Sequence, residues 1–287
     1  SLLDVGNDPA ITFLLPDGNP GLVIPPPPRY DRGRFANGPV FVDYIASKLG
    51  IILKPSETGS DLQKDSVSYG YGGAETGILN LTPGGFPVPG LYGQVNKFAD
   101  DLSDSGANAE KALFIAWAGA NDYLNALAKG EAPDPTIIVN NILDSIELMA
   151  SLDAKRIIVL NLPDLGDTPI CGLFNACELL RILSTTHNLL LEDGIAQLRG
   201  HIGSKLVLVD VYSVLKKVVE NPQKFGFSSD LGPGPASGCL YQDPAEFLPS
   251  NCGFVDFNSD QIYWDEVHPA THVHEILARK VWGALYD

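Results

Sequence analysis

The stretch Arg156-Ile157-Ile158-Val159-Leu160-Asn161-Leu162 decides the fold. Its aliphatic side chains follow one another without the apolar-polar alternation of a half-exposed strand, the pattern of a strand buried on both faces. The flanking segments have a different period. Residues 134–151 before it and 176–200 after it are amphipathic at helical spacing, and in the second Leu180, Leu183, Leu191, Ile195 and Leu198 fall on one stripe. Further out, Ala112 to Ala118 (A-L-F-I-A-W-A) and Lys205 to Asp210 (K-L-V-L-V-D) repeat the strand pattern, and 211–220 repeats the helical one. Such alternation predicts an α/β fold with a mainly parallel sheet covered by helices on both faces. Two more helices, from about Pro39 to Leu49 and about Ala270 to Leu285, frame the chain.

The 287 residues contain no interior linker, so one domain over 1–287 is expected, and 45% hydrophobic residues supply a substantial core. A formal charge of −16 repels phosphate backbones and anionic surfaces, and no local cluster of lysine and arginine reverses it, so nucleic acid is not an expected partner. No run approaches the roughly 18 apolar residues that cross a bilayer. The four cysteines form two sequence-local pairs, Cys171 with Cys177 and Cys239 with Cys252, in polar, glycine-rich surroundings without zinc or redox spacing. Two short-loop disulfides in an exported protein is the reading, with four free thiols as the alternative. The sequon Asn80-Leu81-Thr82 is compatible with export, though Pro83 weakens it.

In open α/β sheets the working groups gather at the carboxyl ends of the strands, where several polar clusters fall. Asp265-Glu266-Val267-His268-Pro269 lies just before the last helix. A three-residue separation lets the carboxylate accept a hydrogen bond from His Nδ1, so that Nε2 faces outward as a base. A capping aspartate beside a surface histidine is the plainer alternative. A metal reading also exists, since His268 and His272 are four apart with Asp265 and His274 nearby. Gly119-Ala120-Asn121-Asp122 directly follows a strand; there an asparagine side chain supplies an amide N–H to a developing oxyanion, or simply makes a turn. Ser68-Tyr69-Gly70-Tyr71-Gly72-Gly73-Ala74 offers glycine backbone able to approach a ligand and donate a second N–H, or a structural turn. Glu75 stands where a dinucleotide fingerprint needs its third glycine. There is no GxSxG elbow, and Leu102-Ser103-Asp104-Ser105-Gly106, which imitates the opening of the chain, is read as a loop. Trp117, Tyr69, Tyr71 and Tyr123 flank these clusters as a candidate acyl pocket, although scattered aromatics are more often core.

Taken together, Ser1-Leu2 through Gly6-Asn7, then Gly73, Asn121 and Asp265-x-x-His268, resemble the four blocks of the GDSL, or SGNH, hydrolase family. The resemblance spans the whole chain, and its longer subtype is matched by Arg34-Phe35-Ala36-Asn37-Gly38, Asn161-Leu162-Pro163-Asp164-Leu165-Gly166, Phe225-Gly226-Phe227 and Trp264 through Pro269. It implies a flavodoxin-like three-layer α/β/α sandwich and a serine hydrolase with neither metal nor cofactor. By position, Ser1 would be the nucleophile, His268 the general base and Asp265 its orienting carboxylate. The Ser1 N–H, the Gly73 N–H and the Asn121 amide would form the oxyanion hole. The expected substrate is a small-molecule or lipid carboxylic ester, acyl or acetyl. The protein is expected to be secreted or periplasmic and monomeric. An acyltransferase of the same fold and a non-catalytic lipid- or carbohydrate-binding relative are the rivals, and the intact Asp265/His268 pair speaks against the second. The family's opening Gly-Asp and the strand before it do not precede Ser1. The expectation is that the native protein extends upstream, and that a chain beginning at Ser1 is inactive or misfolded.

Overall fold

A computed structural model describes residues 30–82, 87–228 and 260–285. The chain enters helix α1 (Phe41–Leu49), then a short parallel pair, β1 (Leu53–Pro55) and β2 (Ser66–Ser68). An antiparallel hairpin follows, β3 (Leu79–Leu81) and β4 (Pro87–Pro89), leading into α2 (Leu91–Ser105). Next come β5 (Leu113–Ala116), α3 (Ala120–Lys129), α4 (Pro135–Ser151) and β6 (Arg156–Leu160). The short α5 (Ile170–Leu173), the long α6 (Cys177–Leu198), β7 (Lys205–Val209), α7 (Val211–Glu220) and α8 (Thr271–Ala284) complete it.

Strand β6 is the middle of a parallel sheet ordered β5-β6-β7, with Ile158 opposite Ile115 and Val207. Its alternate side chains separate two cores. Ile158 and Leu160 pack with Phe41, Ile45, Leu215, Val218, Val273 and Leu277 on the face of α1, α7 and α8. Ile157 and Val159 pack with Val95, Ile142, Ile146, Leu191 and Ile195 on the face of α2, α4 and α6. This is the three-layer α/β/α arrangement expected, because a strand clothed on both sides must be apolar at every position. The five residues of the α6 stripe are buried. Leu179, Ile182 and Leu189 on its other face are exposed.

The structure differs from the sequence reading in three places. The strand expected over 112–118 stops at Ala116 and that over 156–162 stops at Leu160, since Trp117–Gly119 and Leu162 turn out to line a cleft. Asn161 turns its side chain to cap the next element, Oδ1 accepting from the N–H groups of Val211 and Tyr212 (2.7 and 3.0 Å). Among the described residues the strands form three separate ladders rather than one sheet. Phe98 of α2 spans two of them, edge-on to Tyr69 after β2 and to Phe114 of β5 at 5.6 and 5.2 Å. The Ser103–Ser105 stretch read as a loop is instead the last turn of α2, with Ser105 Oγ donating to Leu102 O (3.1 Å) and the left-handed Gly106 ending the helix.

Gly93, inside α2, lies so close to β3 that a β-carbon there would overlap the Ile78 carbonyl. Alanine normally favours a helix by about 1 kcal/mol over glycine. Gly93→Ala is nevertheless expected to lower stability, by about 1–3 kcal/mol as an overpacked contact. Denaturant unfolding checks this, and an unchanged midpoint would contradict the contact.

Candidate active site

The loop carrying Asp265 and His268 is closed at its base. Tyr263 bridges Pro269, Trp264 N donates to His268 O (2.7 Å) and Ala270 N donates to Ile262 O (2.9 Å), with the Trp264 ring fully buried beneath. Asp265 is also fully buried and fully used. Its Oδ1 accepts from the backbone N–H groups of Val267 and His268 (2.7 and 2.6 Å). Its Oδ2 accepts from His268 Nδ1 (2.8 Å) and from the Tyr30 hydroxyl (2.7 Å). Burial alone would raise this carboxyl. His268, by charge and hydrogen bond, and the two N–H donors outweigh burial and hold it below the usual carboxylate range. Asp265 caps no helix, since the N-cap of α8 is Ala270; one of its oxygens closes the loop on the backbone of Val267 and His268 and the other faces the imidazole.

Two neighbours of His268 come from far away in sequence. Tyr30 holds the carboxylate, and the Phe35 ring lies tilted against the imidazole, 5.0 Å between centroids. The segment bearing them is itself anchored: Arg34 makes a two-pronged pair with Asp43 (both 2.7 Å), and Asn37 Oδ1 accepts from Thr271 N (2.8 Å) at the start of α8. From the other side, Ile170 N donates to Glu266 O (2.9 Å), and a disulfide between Cys171 and Cys177 joins α5 to α6.

The oxyanion candidates lie on two elements that grip each other. Asn121 stands in the first turn of α3 and donates from Nδ2 to Ala74 O (2.9 Å), leaving a second amide hydrogen. Gly73 has φ +70, a conformation that favours glycine, and a β-carbon there would press on the Thr82 methyl at 2.9 Å. Its carbonyl accepts from Asn80 Nδ2 (2.9 Å), while Asn80 Oδ1 accepts from Glu75 N (2.9 Å). Both ends of the Asn80 amide are thus engaged, which argues against the sequon reading at that side chain. Asp122 accepts from the N–H and hydroxyl of Thr76, and burial pushes its carboxyl up to about 7.

Ala74, Asn121, His268 and Trp117 border one cleft of about 870 Å³ including its open mouth, whose remaining wall is largely hydrocarbon, with Leu165 and Ile262 among it. Gly73 adjoins the cleft through Ala74. Of the four aromatics expected to form an acyl pocket, Trp117 does line the cleft, its Nε1 donating to Asn161 O (3.0 Å). The other three turn away, because each hydroxyl finds its partner elsewhere. Tyr69 donates to Asp101 (2.8 Å), Tyr71 donates to Glu57, and the buried Tyr123 pairs with His187 Nδ1 (3.0 Å). The Asn161–Gly166 stretch braces the same cleft. Buried Asp164 accepts from Gly166 N, Arg181 Nε and Lys216 Nζ (2.9, 2.9 and 3.2 Å), and the two cations reach on to Asp167.

The histidines that suggested a metal are parted. His272 stacks on Phe227 (4.6 Å), which accounts for the Phe225-Gly226-Phe227 motif, and His274 is buried against α1, its Nδ1 accepting from Phe41 N (3.3 Å). No group of three or more His, Cys, Asp or Glu arranged to hold a metal ion occurs among the described residues. Ser1, Cys239 and Cys252 lie outside those residues.

Burial lowers the imidazole of His187 to about 4 and that of His274 to about 3. Both therefore fold neutral, and the stability this represents, complete above about 6.5, is lost as pH falls through the folded values. Asp122 opposes them, since a raised carboxyl costs stability as pH rises from its unfolded value toward 7. Two groups against one leave a net loss on acidification. The melting temperature should fall between pH 6.5 and 4, and a flat profile would contradict the buried neutral pair.

The family model described as GDSL-like Lipase/Acylhydrolase matches residues 1–281. Among similar proteins is the Arabidopsis thaliana GDSL esterase/lipase At5g45950, 24% identical over 284 residues that cover 89% of this chain and 77% of that one. Another is the Arabidopsis thaliana GDSL esterase/lipase At5g45960, 26% identical over 291 residues covering 89% and 76%. The solved acetyl xylan esterase AlAXEase aligns with TM-score 0.46 and 13% identity over 86% of this chain and 90% of that one. The chain belongs to the GDSL-like lipase/acylhydrolase family and falls in the class of carboxylic ester hydrolases.

Proposed function

We propose that the protein hydrolyses acyl or acetyl esters through an acyl-enzyme on Ser1, with His268 as base and Asp265 as its orienting partner. The observation that carries this reading is the Asp265–His268 pair: Nδ1 is committed to a buried carboxylate at 2.8 Å, which leaves Nε2 as the working nitrogen beside the cleft. The Ser1 Oγ proton passes to Nε2 as Oγ bonds the ester carbon; the alcohol leaves with that proton, and water repeats the sequence to free the acid. Charge on the carbonyl oxygen is met by N–H donors from Ser1, Gly73 and Asn121. The hydrocarbon wall of the cleft suits the acyl chain better than a charged head group.

The Cys171–Cys177 disulfide supports an exported protein, secreted or periplasmic, since such bonds persist in oxidising compartments. No helix among the described residues is long and apolar enough to cross a membrane. We take the working form to be a monomer and a single domain.

A fluorophosphonate probe tests the assignment, because it reacts only with an activated serine. The full-length protein should acquire one phosphonyl group, mapped by mass spectrometry to Ser1, and should release acid and alcohol in equal amounts from nitrophenyl esters. Labelling at another serine, or no turnover across acetyl to long-chain esters, would overturn it.

A further inference from the structure

The first two turns of α3 spend three polar side chains on a single partner, the turn Ala74–Thr76. Asn121 Nδ2 donates to Ala74 O (2.9 Å), Asn125 Nδ2 donates to Glu75 Oε1 (2.8 Å), and Asp122 Oδ1 accepts from both Thr76 N (3.1 Å) and Thr76 Oγ1 (2.6 Å). Thr76, fully buried, also accepts from Asn141 Nδ2 of α4 (3.1 Å), which ties the arrangement to the helical layer. The Asp122 grip is the costly member of the set. Burial and then the nearby Glu75 charge disfavour the ionised form, and Oδ2 has no hydrogen-bond partner among the described residues. A carboxyl kept at such a place, one residue from Asn121, has to be judged by what it holds.

We propose that Asp122 is a positioning residue for the oxyanion hole: by gripping both hydrogen-bond donors of Thr76 it fixes the Gly73–Thr76 turn against α3, and so sets where the Gly73 N–H and the free Asn121 amide hydrogen point. The proposal rests on the oxyanion roles assigned to Gly73 and Asn121 above. The grip matters because Asn121 takes its own orientation from this turn. One of its two amide hydrogens is bound to Ala74 O, so a displaced turn swings the other. Misplacement by about 1 Å in a catalytic constellation can cost a factor on the order of 100.

Asp122→Ala is therefore expected to lower kcat by about 10- to 100-fold with KM within a few-fold, the mark of an interaction expressed in the transition state. Asp122→Asn, which keeps an acceptor oxygen for Thr76, should recover most of that loss. Thr76→Ala, which removes only the hydroxyl half of the grip, should shift kcat the same way by a smaller factor, and serves should Asp122→Ala fail to fold. The decisive measurement is the cycle with Asn121→Ala: Asp122→Ala should add little once the Asn121 amide is gone. If the two losses multiply, or if the Asp122 and Thr76 variants lower only melting temperature while the folded enzyme keeps its kcat, the positioning role is wrong. If Asn121→Ala alone leaves kcat unchanged, it is the oxyanion assignment that fails.

Discussion

Asp265→Asn is expected to lower kcat by about 10⁴-fold, the size seen when a triad carboxylate is replaced by its amide. The reason is directional. Oδ1 faces two backbone N–H groups at 2.6 and 2.7 Å, so an asparagine must place its carbonyl there and turn its NH2 toward His268. A donor facing Nδ1 forces the imidazole proton onto Nε2, the nitrogen that has to receive the nucleophile's proton. Stability should fall as well, because the Tyr30 hydroxyl loses its acceptor, and leaving a buried polar group without its partner costs about 1–3 kcal/mol. Initial rates on a nitrophenyl ester, with melting measured in parallel, separate the two effects. Retention of more than a tenth of wild-type kcat by a folded variant would remove His268 from the mechanism.

The second large effect is expected at Asn121. Its replacement by alanine should lower kcat by about 10²- to 10³-fold, equivalent to about 2.7–4 kcal/mol for one oxyanion donor, with little change in KM. Asn121 also holds Ala74 O, so the loss combines a missing donor with a loosened turn. Asn121→Asp is informative beside it, since a carboxylate would repel both the Ala74 carbonyl and the developing oxyanion and should be at least as damaging. If either variant mainly raised KM, Asn121 would be a ground-state contact.

The parts of the fold legible in the sequence are those whose information is local. The unbroken run from Ile157 to Leu160 required two covered faces, and the α6 stripe from Leu180 to Leu198 required one. The Asp265–His268 pair and the Cys171–Cys177 bridge were legible because three and six residues confine their geometry. Tyr30 was not: its hydroxyl reaches Asp265 across 235 residues, and nothing near Tyr30 marks it. Phe35 stood in a recognised stretch, but its contact with the His268 ring depends on how α1 meets α8. The aromatic pocket misled because ring type announces apolar surface without saying where the hydroxyl will find a partner. The Asp122–Thr76 grip went unread because Asp122 stands beside the more conspicuous Asn121, and Thr76 lies just beyond the Ser68–Ala74 stretch, 46 residues from its partner.

The closure of the site by Tyr30 and Asp265 bears on the order in which the protein matures. Synthesis runs from the amino end, at about 5–20 residues per second. The strands of the sheet, Cys171 and Cys177, and the Gly73–Asn121 region are all synthesised before Asp265 and His268. Joining partners so far apart in sequence also makes this contact slow to form. Residues 262–285 bring three things at once: the Asp265–His268 pair, the Ile262, Val267 and Pro269 part of the cleft wall, and the α8 side chains Val273, Leu277 and Val281 that cover one face of the sheet, so cleft, core and pair are completed together.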